Sequence, residues 1–71
     1  MNYEIGEIVL IDNVEYVIIS IIEANFITYF YLKTITEPHK DLIVKLENNE
    51  LENVIDKEEL QYVLSRFNTT K

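Results

Sequence analysis

The residues that could do chemistry in this 71-residue chain are few, and they are scattered. Its one histidine, His39, alternates with Glu37 and Asp41 in "EPHKD". Three such side chains can in principle meet a metal ion. A loop that also holds Pro38 and Lys40 is a poor frame for one, however, and metal binding is not expected. A His–Asp pair also needs a nucleophile and an oxyanion hole, and Ser20 and Ser65 stand in no motif that supplies either. Gly6 is the only glycine, so a phosphate-cradling loop is ruled out. Its expected role is a strand position where another backbone or ring packs closely, beneath Ile19 or Phe30. The acidic run from Glu47 to Glu59 lacks the alternating oxygen ligands and central glycine of a calcium loop. The chain has no cysteine, which excludes disulfides and thiolate metal sites. No catalytic residue, cofactor or metal is expected, and the chain is not read as an enzyme.

Composition narrows the partners. A net charge of −7 with only six Lys and Arg leaves no basic groove for phosphates, so direct binding of nucleic acid or an anionic membrane is not expected. The acidity favours solubility or a basic protein partner. Residues 16–32, "YVIISIIEANFITYFYL", are the most apolar stretch. They are short for a membrane span and carry Glu23 and Asn25 in the middle. The first residues show no basic region followed by a long apolar core, so the expected location is the cytoplasm. "NTT" at 68–70 matches a glycosylation acceptor but is read as part of a frayed tail, residues 68–71.

The elements follow from short apolar runs between turn signals. The pattern predicts one domain over residues 1–67, with strands at about 4–11, 14–22, 26–35, 42–46 and 51–54. A helix follows at about 57–67. Asp12–Asn13 suit a tight hairpin, a second turn is expected at 24–25, and Asn48–Asn49 mark a third. Asp56 and Glu59 form an expected capping box, with Ile55 and Leu60 as a hydrophobic staple. Leu60, Val63, Leu64 and Phe67 make one apolar stripe at helical spacing. The fold class is mainly β with one helix. It is a five-stranded antiparallel meander or small, partly open barrel, β-β-β-β-β-α, closed by one C-terminal helix; that helix, or the second hairpin, is expected to cover the core face.

Two-residue turns at 12–13 and 24–25 would align residues 8, 17 and 32 in one row, and 6, 19 and 30 in another. One face then holds Ile8, Leu10, Val17, Ile19, Ile21, Phe30 and Leu32, and is the expected core. The opposite face carries Glu7, Val9, Tyr16, Ile18, Ser20, Tyr29, Tyr31 and Lys33, where clustered phenols suit a contact surface. Tyr16, Ile18, Tyr29 and Tyr31 are the expected interface residues. The expected function is a self-associating protein-interaction module, a homodimer. The alternative is an acidic inhibitor that occupies the basic groove of a nucleic-acid-binding protein. A slip of one residue would exchange the two faces.

"IGEIVLIDNVEYVIIS", "TYFYLKTI", "LIVKL" and "DKEELQYVLSRF" together resemble small acidic proteins of unknown function from low-GC Gram-positive bacteria and their mobile elements. That resemblance implies no activity and no catalytic residues. The meander also resembles SH3-like barrels, which implies a fold and nothing about function.

Overall fold

The computed structural model describes residues 3–68. Five antiparallel strands form one sheet in the order β1-β2-β3-β4-β5, curled into a half-barrel, and one C-terminal helix packs on its outside. The strands are β1 (Ile8–Ile11), β2 (Val14–Ala24), β3 (Ile27–Thr34), β4 (Asp41–Glu47) and β5 (Glu50–Asn53), and the helix is α1 (Lys57–Asn68). Apart from Asn68, the expected acceptor sequence and tail lie outside the described residues.

Three of the four strand-to-strand connections are two-residue hairpins of one kind. Asp12–Asn13, Asn25–Phe26 and Asn48–Asn49 all have φ between 52° and 66°. That is the geometry of a type I′ turn, whose twist matches that of the flanking strands. The first and third fall where the sequence places them. The second lies one residue later than expected, at Asn25–Phe26, and puts Phe26 at φ 65° with its ring fully exposed. Asparagine tolerates this left-handed region, whereas a bulky ring rarely enters it.

A bulge in β2 decides the faces. From the tip, Ala24 pairs with Ile27, Ile22 with Tyr29 and Ile21 with Phe30, but the register shifts between Ile18 and Ser20. Beyond it Ile18 faces Leu32 and Val17 faces Lys33. Ile19 is the extra residue, and one extra residue reverses the side on which every earlier side chain of β2 points. The expected rows therefore hold only in part. Ile8 does pair with Val17, but Leu32 and Phe30 find Ile18 and Ile21 rather than Val17 and Ile19.

The concave core contains Val9, Ile18, Phe30, Leu32 and Val44, with Ile11, Tyr16 and Ile21 packed against it. Ile21, Phe30 and Leu32 lie on the expected side. Ile8, Leu10, Val17 and Ile19 do not, and Val9, Tyr16 and Ile18 take their place. The second hairpin continues the sheet in the expected register, with Lys45 opposite Glu52 and Val54 N–H donating to Ile43 O.

Gly6 has a different reason from the expected one. A Cβ there would meet nothing within 4 Å, but φ is +93°. Glu7 N–H closes a turn onto Glu4 O, which puts Gly6 at the third turn position, where a type II turn needs positive φ. Gly6 N–H then donates to Ile18 O while Ile18 N–H donates to Glu7 O. Two residues thus oppose one, a glycine bulge that opens β1.

At the start of α1, Asp56 accepts from Glu58 N–H at 3.0 Å, which is the expected cap. The rest of the box does not form, because the Glu59 carboxylate turns to the sheet instead. Nor does the staple, since Ile55 is 87% exposed.

Candidate interaction surface

The helix sits on the tyrosine face rather than over the expected face of Phe30 and Leu32, because its apolar stripe packs against Tyr29 and Ile43. Val63 is buried among Ala24, Tyr29, Ile43 and Val54, with Leu60 and Phe67 packed beside it. A polar latch fixes the contact. Tyr29 hydroxyl donates to Glu59 Oε2 at 2.6 Å, and Lys45 Nζ reaches both Glu59 oxygens at 3.3 Å. Burial first, and then the bonded carboxylate, push the Tyr29 phenol up to about 12. Tyr31 packs its ring on Phe67 at 5.8 Å and donates to Asp41 Oδ2 at 2.8 Å, a bond that, with burial, raises its pKa too.

The four expected interface residues therefore separate. Ile18 is buried in the concave core, and Tyr16 lies half-buried against it. Tyr29 is buried beneath α1. Tyr31, half-buried like Tyr16, borders a hollow of about 420 Å³ between β4 and the last turn of α1. Ile18 and Tyr29 cannot touch a partner while the protomer is folded.

The surface left over is the other half of the convex face. Ile8 is 55% exposed, Leu10 65%, Ile19 41% and Ile35 40%. They lie around Val17 and Glu15. Ile8 pairs with half-buried Val17, Ile19 follows on the same strand, and Leu10 and Ile35 line one shallow hollow with Glu15. The helix ends before this region, where Lys33 pairs with Asp41 at 3.5 Å. An apolar area of this kind, rimmed by charge, is what an interaction surface presents.

Sequence reasoning missed these residues because "IVLI" is apolar on both sides and alternation cannot orient it. One signal was available. Residues 1–32 contain Glu4, Glu7, Asp12, Glu15 and Glu23 and no Lys, Arg or His.

The residues weighed for chemistry stay apart. His39 Nδ1 lies 2.9 Å from Thr34 O and must donate, since a carbonyl only accepts. Its Nε2 lies 3.9 Å from Glu37, while Asp41 is engaged by Lys33 and Tyr31. Among the described residues no group of three or more His, Cys, Asp or Glu is placed to hold a metal. No described helix is long and apolar enough to cross a membrane. Comparison with family models, curated proteins and solved structures finds no match to this chain.

Proposed function

We propose that this protein is a non-enzymatic interaction module that binds another protein through the uncovered part of its convex face. One observation carries this reading. Ile8, Leu10 and Ile19 stand exposed around Val17, and Ile35 lies across Glu15 from Leu10, on the part of the convex face that α1 leaves uncovered.

The charge around this area supports a basic partner over a second copy. Two antiparallel copies of β1 would bring Glu7 of one near Asp12 of the other, and like charges at strand ends oppose pairing. The acidic inhibitor of nucleic-acid-binding proteins has less support. Of the carboxylates between 47 and 59, Glu59 is taken by Tyr29 and Lys45, and Asp56 caps α1. Two of the six carboxylates in this stretch therefore serve the fold and are not free to join a phosphate-like row.

The test is quantitative affinity enrichment from the source cells. Wild type is compared with Ile8→Thr/Leu10→Thr, a pair that leaves both cores intact. Basic proteins retained by wild type and lost with the variant are the expected result. An identical retained set for the two baits would refute the reading.

A further inference from the structure

We infer that β1 is an acceptor edge for strand addition, and that its occupant is an extended segment of another protein carrying Lys or Arg toward both ends. This rests on the reading that the uncovered face binds protein. It adds how the partner binds and which sequences it uses.

The backbone supplies the first argument. Among the described residues β1 pairs only with β2, so its other side is a sheet edge. The hairpin closes on Ile11 and Val14, and in an antiparallel ladder bonded and non-bonded pairs alternate from there. Ile11 and Val9 therefore bond to β2. Ile8 and Leu10 direct their N–H and C=O groups away from it. The same two residues carry the exposed apolar side chains, so backbone pairing and apolar contact are offered by one short strand.

The half-barrel supplies the second. Tyr3, Leu10, Ile11, Asp12, Glu50 and Leu51 line one hollow of about 380 Å³, which places the end of β1 and the other edge strand, β5, beside a common space. A strand added to β1 would lie along this opening and extend the curl of the sheet toward closure. Proteins blunt such edges with short strands, bulges, Lys, Pro or a covering element, and β1, four residues long, has the first two. Here the glycine bulge at Gly6–Glu7 ends the pairing, and neither Lys nor Pro stands on β1.

Charge identifies the occupant. Glu7 and Asp12 flank β1, Glu15 stands opposite Leu10, and Glu50 lines the hollow. No Lys, Arg or His stands on β1 or β2, and Lys33, opposite Val17 on β3, is held by Asp41. A segment with apolar or β-branched residues at alternate positions would meet Ile8 and Leu10, and basic residues at its ends would meet Glu7 and Asp12.

The test is a selection followed by paired substitutions. Displayed random segments of about nine residues, a typical strand with its flanks, are selected against the full chain at low salt. Enriched sequences are then made as synthetic peptides. They should alternate Val, Ile or Thr with other residues and carry Lys or Arg at both ends. Leu10→Thr and Leu10→Pro both remove the leucine, but only proline removes the outward N–H. An edge strand tolerates proline where its N–H would face solvent, and circular dichroism checks this. If Leu10→Pro does not fold, the chain made synthetically with an N-methylated leucine at position 10 makes the same comparison. Leu10→Pro should weaken binding about tenfold more than Leu10→Thr, the scale of one lost hydrogen bond. Glu7→Gln/Asp12→Asn should weaken it as well and flatten its salt dependence. Equal weakening by threonine and proline overturns strand addition while leaving the apolar-face reading standing. Indifference to both overturns the two together. Neutral or acidic winners, or no enriched sequence, also overturn the inference.

Discussion

The Tyr29 hydroxyl donates to the Glu59 carboxylate at 2.6 Å, joining the middle of β3 to the first turn of α1. That bond, with Lys45 on the same carboxylate, explains why the helix covers the tyrosine face and leaves Ile8, Leu10 and Ile19 in the open. A hydrogen bond to a charged, half-buried partner contributes about 1.5–3 kcal/mol. Tyr29→Phe should therefore lower stability by about 1–2 kcal/mol in urea titrations. The double variant Tyr29→Phe/Glu59→Gln should lose less than the sum of the single losses. Additive losses would show that the two groups do not act as a pair.

The same bond makes alkaline stability a test. Tyr29 ionises near 10 when unfolded and is pushed up to about 12 when folded. A raised folded value means its contribution is complete below pH 10. It is lost as pH rises from 10 through 12, because only the unfolded chain ionises easily there. The loss is on the order of 2 kcal/mol. Wild type should lose more stability than Tyr29→Phe between pH 9 and 11.5, and parallel losses would contradict the assignment.

Neighbouring isoleucines should respond in opposite ways. Ile18 is buried in the concave core and Ile19 is the exposed residue of the bulge. Ile18→Ala should cost about 2–5 kcal/mol, which a domain of this size tolerates badly. Ile19→Ala should cost about 1 kcal/mol or less. Chemical denaturation of the two variants measures the difference, and the reverse order would restore the faces that simple alternation predicts.

How much of this was legible in the sequence depends on the residue. Strand count, order, the Asp12–Asn13 and Asn48–Asn49 turns, the Lys45–Glu52 register and the Asp56 cap all follow from local rules. The bulge at Ile19 does not, because "VIIS" is apolar without alternation and offers no mark of an extra residue. Its consequence is large, since it turns β1 and half of β2 over. The helix placement was hidden for a related reason. Glu59 looked like half of a capping box, and its partner Tyr29 lies thirty residues away, beyond the reach of spacing arguments.

Two turn positions give a paired prediction. Phe26 holds φ 65° in a turn that prefers glycine at its second position, with its ring in solvent. Phe26→Gly should stabilise the chain by about 1 kcal/mol, relief of left-handed strain outweighing the entropy of the unfolded glycine. Gly6→Ala should do the opposite by a similar amount. No atom is in the way of its Cβ, and the cost comes from φ alone. Thermal melts of both variants measure this, and equal midpoints for the two would contradict the turn assignments.

The most direct test of the interaction surface is a methyl NMR titration of the chain, labelled at Ile and Leu, with the tightest basic protein recovered by the affinity enrichment. The account predicts the largest shifts at Ile8, Leu10, Ile19 and Ile35. Ile18, in the concave core, and Ile43, beneath α1, should move little. Shifts concentrated instead at Leu51 and Ile55, along the acidic 47–59 segment, with Ile8 and Leu10 unmoved, would contradict it and move the binding surface to the carboxylates.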